Sequence, residues 1–488
     1  MTEVLIVGGG LAGLSAAVFL AQQGVDCLLV EKHQGVSPHP RARGITPAVM
    51  ELMRKVGLEE AIRNTESGRA LQHNTGVVAA QSLAGKQIGE LREQYVMDIR
   101  GDLSHLTPSG WCLCHQDEFE PLLRAKAQEL GAKIEFGTEL LSFTQDEQGV
   151  RAKLSNRAVR AKYLIAADGP GSRIRQACSI SFEGTEPIGN YMNIHFKAKL
   201  KEQLGDRRFV MCYVMNQELR GALMPIDNDQ RWLLHVMYDP KSGEEFTTER
   251  CTQLVKAAAG VPDLDVEIIG AMPWEAAGRT AGRFSDRRVF IVGDAAHVMP
   301  PSGAFGSNTG IQDSYNLAWK IAAVLRNEAG PALLDTYDAE RRPTGEAIVE
   351  QAVLRSLDRP RMVHEQPPPA DPRIVPDTTV WFGSRYHSTA IVPDNDEKDV
   401  WANEIDGTPG VRAPYDESTW DLYGDGFVLI ASNDEWIKAA EGLSIKAHKV
   451  EGAEALLVRP DGVVAWRPAG AASADELARA LKSVLSLN

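Results

Sequence analysis

The 488-residue chain predicts an α/β protein with three units: a Rossmann-like unit for a dinucleotide, an antiparallel β-sheet unit, and a small α/β unit at the C-terminal end. Three observations predict it. A GxGxxG turn joins an apolar run to an apolar helix within residues 4–23, period-two alternation marks residues 191–198, and prolines crowd the interval 360–376, beyond which strand and helix signals resume.

In chain order, Val4-Leu5-Ile6-Val7 runs into Gly8-Gly9-Gly10-Leu11-Ala12-Gly13. Gly8 permits the tight turn, Gly10 lets the backbone approach a pyrophosphate, and Gly13 lets helix and strand pack. The helix spans 11–23 and stops at Gly24; a strand over 26–30 leaves Glu31 at its end, placed for ribose hydroxyls. A helix over 46–56 takes Thr46 as N-cap and Pro47 as its first residue. Another spans 118–130 and ends at Gly131, followed by strands at 133–136, 140–145 and 149–154, and a strand over 162–167 delivers Asp168-Gly169.

Residues 180–275 read as antiparallel β. Met192, Ile194, Phe196 and Ala198 alternate with Tyr191, Asn193, His195 and Lys197, with further strands at 207–214, 219–224 and 231–238. Such a sheet has one buried face and one free to line a cavity. His195 and Asn193 face either that cavity or solvent. From 289 a strand ends in Gly293-Asp294, Pro300-Pro301 makes a rigid corner, and a loop with Gly303 and Gly306 opens a helix near Asn308. A helix carrying Tyr337 and Glu340-Arg341-Arg342-Pro343 leads to an extended proline-rich connector. Beyond it come a strand 427–431, a helix 435–441, a hairpin 455–466 across Arg459-Pro460-Asp461-Gly462, and a closing helix 475–486. The expected domains are 1–180 with 276–360, 70–110 with 181–275, the connector 361–399, and 400–488.

Lys plus Arg number 52 against 66 Asp plus Glu, a net charge of −14 with no domain-scale basic stretch, so nucleic acid is not an expected partner. With 43% hydrophobic and 24% charged residues the composition is that of a globular protein. Residues 4–21 carry no charge, but Thr2-Glu3 is no basic leader and glycines interrupt the run. Neither a signal peptide nor a membrane partner is expected, and the expected location is cytoplasmic. Cys27, Cys112, Cys114, Cys178, Cys212 and Cys251 form no CxxC pair and read as reduced core thiols, with no metal site.

On these motifs the sequence resembles a group A flavoprotein monooxygenase, an FAD-dependent aromatic hydroxylase of the para-hydroxybenzoate and phenol hydroxylase superfamily, most closely its aromatic polyketide hydroxylase branch. The likeness covers nearly the whole chain. It rests on the GxGxxG, on Asp168-Gly169 with Ser172 and Arg175, and on Gly293-Asp294 through Asn308. The resemblance implies a Rossmann-like FAD-binding domain formed by Gly8, Gly10, Leu11, Ala12 and Gly13, with Glu31 on ribose and Lys32 near adenosine. Arg41 and Arg43 would meet ribose and pyrophosphate, where guanidinium forks suit phosphate oxygens. Gln116 would bind the ribityl chain and Leu140 would contact adenine through its backbone. Asp168 reads as support for the cofactor loop, and Asp294 takes a ribityl hydroxyl. Pro301 sits by the reactive flavin edge, and Gly306, Ser307 and Asn308 bring backbone N–H groups to the ring. Relatives often have two glycines where this chain has Gly303-Ala304, a departure that bears on loop flexibility.

The resemblance further implies that NADPH or NADH reduces FAD, that molecular oxygen forms a flavin C4a-hydroperoxide, and that an electron-rich aromatic substrate, phenolic or polyketide-like, attacks it while the protein excludes water. With one dinucleotide fold, the nicotinamide is a transient reductant. No residue is assigned as catalytic acid or base, and His297 reads as satisfying local backbone groups. The tail from about 400 resembles the thioredoxin-like domain of the phenol hydroxylase branch; lacking cysteine, it is left with packing or dimer contacts in a monomer or homodimer. Baeyer-Villiger insertion, epoxidation, antibiotic inactivation and a non-oxygenating flavin dehydrogenase are the alternatives. A halogenase lacks support, since no WxWxIP-like segment occurs.

Overall fold

The computed structural model describes residues 2–37, 42–91, 103–359, 369–402 and 404–487. Its central sheet runs Ser285–Asp286, Val289–Ile291, Tyr163–Ala166, Val4–Val7, Cys27–Glu31, Lys133–Phe136. Every neighbouring pair is parallel except the first. All of Val4–Val7 is buried, as expected of a central strand covered on both faces. The helices Leu11–Gln22 and Phe305–Leu325 pack together, and Ser314 Oγ donates to the Ala12 carbonyl at 2.9 Å. Gly8 has φ +114°, and a Cβ there would lie 2.1 Å from the Ala167 carbonyl oxygen; one on Gly13 would lie 2.0 Å from that of Gly8. These clashes are why strand, turn and helix need glycine at both positions.

The second sheet has seven strands in the order Glu267–Ala276, Gly189–Lys197, Arg231–Tyr238, Arg220–Pro225, Met211–Met215, Val77–Ala80, Gln87–Leu91. The last two lie within 70–110, the segment expected to join 181–275 in this unit. On one face Met192, Ile194, Phe196, Trp232 and Leu234 form a core with Leu254, Val255 and Ala258 of the helix Thr248–Ala259. Reading 180–275 as β alone overlooked that helix. Its signals were present: Thr247 caps it, its hydroxyl accepting from Arg250 N–H at 3.2 Å, and its apolar residues recur every three or four positions. Asn193 and His195 lie on the opposite face and are only 3% and 4% exposed, so solvent is not their environment.

The helix Asp335–Asp358 carries Tyr337 and the run from Glu340 to Pro343, and continues through the proline. The connector is not extended throughout, because Asp377–Phe382 is helical; its residues 361–368 lie outside those described. The tail sheet runs Lys446–Lys449, Val428–Ala431, Leu456–Val458, Val464–Trp466, a parallel pair followed by antiparallel neighbours, with helices Asp434–Ala439 and Ala474–Val484, a thioredoxin-like arrangement. Phe427, Leu429 and Trp436 share a core with Trp319 and Ala323 of the helix Phe305–Leu325. Beside this core lies a buried charge cluster. Arg459 donates to both Glu340 oxygens at 2.7 and 2.9 Å and to Asp461, and Lys320 Nζ reaches Glu340 Oε2 at 2.7 Å.

Candidate functional site

Carboxyl ends of the central strands and one face of the seven-stranded sheet enclose a cavity of about 1130 Å³. This is where open parallel sheets bind ligands, since strand ends and helix N-termini converge there. Of the residues expected at the site, Gly8, Gly10, Leu11, Ala12, Glu31, Lys32, Arg43, Gln116, Leu140, Asp168, Asp294, Pro301, Gly306 and Ser307 line it. Gly13 and Asn308 do not, and Arg41 lies outside the described residues.

Glu31 is set before any ligand arrives. The Gly9 N–H donates to its Oε2 at 2.7 Å, and the His33 N–H to its Oε1 at 2.9 Å. Burial would raise this carboxyl, but the hydrogen bonds from His33 and Gly9 hold it below the usual glutamate range, so it remains an anionic acceptor. The helix Leu11–Gln22 has no side-chain cap at Gly10, and a Cβ at Gly10 would meet only Glu120 Oε1, at 3.8 Å. Open backbone N–H groups at a helix N-terminus suit a pyrophosphate.

The Gln116 side chain accepts from Ala42 N–H at 3.2 Å and donates to Glu120 Oε1 at 2.6 Å, fixing its amide at the cavity wall. Under it, His115 is fully buried and held well below the ordinary histidine range by burial and by the cations Arg43 and Arg231, so it is neutral. Sequence reasoning passed over it. Asp168 accepts from Ser172 Oγ at 2.5 Å and Ile174 N–H at 3.3 Å, a turn-supporting role. Arg175 ties this loop to the next motif, donating to the Pro170 carbonyl at 2.9 Å and that of Ala295 at 2.8 Å. The Arg43 guanidinium reaches the carbonyls of Pro225 and Val210, joining the nucleotide half to the second sheet.

At the far end the helix Phe305–Leu325 begins earlier than the expected Asn308, with Ala304 as N-cap at φ +55° and no side-chain cap. Asn308 acts through its side chain: its Oδ1 accepts from Thr46 N–H at 3.0 Å, and its Nδ2 donates to the carbonyls of Gly44 at 2.8 Å and Ala304 at 2.6 Å. The reading of His297 needs correction. It is fully buried with Nε2 2.7 Å from Asp313 Oδ2, so its partner is a carboxylate on a later helix, which a turn-based reading had no means of finding.

The sheet side of the cavity is lined by Val77, Met211, Met224, Leu233, His235 and Met272, with Met299 and Arg359 from neighbouring segments. Beside them Tyr191 stacks on Trp274 with ring centroids 4.7 Å apart. Thioethers and flat apolar walls accept planar rings in several orientations. An anionic acceptor beside a glycine-rich helix start at one end, a second uncapped helix start past the Pro300-Pro301 corner, and an apolar annex together fit FAD with room for an organic substrate.

Those features define a flavin-binding oxidoreductase class. Residues 1–352 match the family described as FAD binding domain and residues 416–486 that described as aromatic-ring hydroxylase, C-terminal; the chain belongs to the FAD-dependent aromatic-ring hydroxylases. It binds FAD and is a monooxygenase of aromatic substrates. A putative polyketide hydroxylase from Streptomyces halstedii is 41% identical, covering 99% of this chain and 96% of that one. Tetracenomycin A2 monooxygenase-dioxygenase from Streptomyces glaucescens is 40% identical over the same shares of the two chains. Among solved structures, aklavinone-11 hydroxylase in ternary complex with FAD and aklavinone matches with a TM-score of 0.91 at 35% identity, covering 99% of both chains.

Proposed function

We propose that the protein hydroxylates a polycyclic phenol of the polyketide kind, with NADPH or NADH as transient reductant, and that it works in the cytoplasm as a monomer or homodimer. The observation that carries this reading is the continuity of the cavity, whose nucleotide-binding end opens into a methionine-walled annex on the second sheet. Bound FAD supplies the redox chemistry, taking electrons from the nicotinamide and activating oxygen.

The chain's own residues supply binding, orientation and exclusion of water. Glu31, Gln116 and Asp294 take hydroxyl groups of the cofactor chain, and Asp168 with Ser172 holds the loop between them. The uncapped N–H groups at Gly306 and Ser307 lie where negative charge on the ring would be stabilised by a helix N-terminus. Met211, Met224, Leu233 and Met272 clamp a flat substrate and keep water from the reacting centre. The relatives' substrates, tetracenomycins and aklavinone, are the first candidates by chemistry.

The test is a panel of mono- and polycyclic phenols scored for stimulation of NADPH oxidation and, under labelled oxygen, for incorporation of one oxygen atom. Stimulation by polycyclic phenols with one labelled oxygen in a ring hydroxyl supports the reading. Turnover confined to single-ring phenols overturns the polycyclic assignment, and a lactone product replaces hydroxylation with Baeyer-Villiger insertion.

A further inference from the structure

Buried contacts behind the cavity wall converge on Asp313, in the middle of the helix Phe305–Leu325. Its Oδ2 accepts from the Gly293 N–H at 3.1 Å and lies 2.7 Å from His297 Nε2, while its Oδ1 accepts from Arg341 Nε at 2.8 Å. Arg341 also donates to the Tyr386 hydroxyl at 2.8 Å, 45 residues further along the chain. Asp313 and His297 are 0% exposed, Arg341 1% and Tyr386 9%.

Gly293 has φ +60° and immediately precedes Asp294, which faces the cavity. A buried carboxylate holding the Gly293 N–H therefore fixes the direction in which the chain leaves the strand, and with it the place of the Asp294 side chain. Burial alone would raise the Asp313 carboxyl, but His297 and the Arg341 guanidinium hold it below the usual aspartate range, so it remains a charged acceptor. Hydrogen bonds to a charged group in a water-free interior are strong and orient their partners closely.

We propose that Asp313 is a positioning residue for the flavin: through the Gly293 N–H it sets the Asp294 carboxylate, and through Arg341 it makes that setting depend on the Tyr386 hydroxyl. The proposal rests on Asp294 as a ribityl ligand. It gives the segment around Tyr386, remote from the cavity lining, a part in cofactor affinity.

Dissociation constants for FAD and the visible spectrum of the bound flavin, read on purified full-length variants, test it. Asp313→Asn, which forces an amide N–H against either Arg341 or the Gly293 and His297 donors, is expected to weaken FAD binding about ten- to hundredfold and to shift the flavin bands. Tyr386→Phe removes one hydroxyl at nearly constant volume and is expected to weaken binding about three- to tenfold; it decides the question if Asp313→Asn does not fold. Leu481→Ala, in the tail core, lowers the melting temperature but leaves FAD affinity and spectrum native. Native affinity and spectrum in Tyr386→Phe overturn the proposal, as does an equal loss of affinity in Leu481→Ala, which would reduce the effect to general destabilisation. Should Asp294→Ala bind FAD normally, the ribityl reading itself fails.

Discussion

Replacing Arg459 with methionine separates charge from volume in the joint between tail and body. Arg459 is 0% exposed and gives four hydrogen bonds to two buried carboxylates, those of Glu340 and Asp461. Glu340 has further donors in Lys320 at 2.7 Å, Ser388 at 2.7 Å and Asn316 at 2.8 Å. With Arg459 and Lys320 the two acids are balanced; without Arg459, two anions share one ammonium in a site closed to water. Methionine fills much the same space, so the cavity contribution is small and the orphaned carboxylate dominates, at about 3–5 kcal/mol. The assay is urea unfolding followed by tryptophan fluorescence, for which Trp319, Trp436 and Trp466 report on this joint.

The pH dependence supplies a second check. Glu340 is held well below the usual glutamate range by Arg459 and Lys320 in spite of its burial. A depressed carboxyl gives stability that is present above the unfolded value of about 4.3 and lost as pH falls through it toward the folded value. Protonation also relieves the orphaned anion in the variant, so the difference between native protein and Arg459→Met narrows below about pH 4. A loss under about 1 kcal/mol at pH 7, or a difference that widens in acid, refutes the reasoning.

The remaining predictions concern the cofactor loop. Asp294→Ala folds but purifies largely without FAD; full yellow occupancy with native activity would contradict its role. Ala304 holds φ +55°, a left-handed conformation costing about 1–2 kcal/mol, whereas glycine costs about 0.4–1 kcal/mol through the unfolded chain. Ala304→Gly therefore leaves thermal stability equal or up to about 1 kcal/mol higher by calorimetry, and a clear drop in melting temperature would show that the alanine methyl is needed for packing. The flavin is expected to swing toward the nicotinamide past the start of the helix Phe305–Leu325, where a Cβ on Gly306 would meet nothing closer than Met299 Cγ at 3.7 Å. Gly306→Val accordingly suppresses substrate-accelerated anaerobic flavin reduction more than FAD affinity, and stopped-flow absorbance with unchanged acceleration would refute that gating.

Much of this molecule was legible because the signals are local. The Val4–Val7 strand, the turn through Gly8 and Gly13, and the helix after it follow from apolar runs and from a backbone that admits no Cβ. The acidic strand ends Glu31 and Asp294 were legible for the same reason, and both line the cavity. Less was legible where partners are distant. His297 was assigned to its own turn, yet its carboxylate sits 16 residues on; the guanidinium of Arg43 joins carbonyls 167 and 182 residues away. For Asn308 only the backbone was legible, and its side-chain ties to Gly44 and Thr46 were not. The helix Thr248–Ala259 was missed for another reason, since strand periodicity on either side of it dominated the reading.

By itself the sequence determined the nucleotide-binding architecture, the order of the three motifs and the absence of cysteine from the tail, because glycine spacing, hydrophobic period and residue identity act within a few residues of one another. Only the tertiary structure decided which face of the second sheet lines the annex, which carboxylate His297 meets, and how Glu340 in the body and Arg459 in the tail neutralise each other across 119 residues. Charges and hydrogen-bond donors choose partners by proximity in space, and proximity between distant segments exists only once the chain has folded.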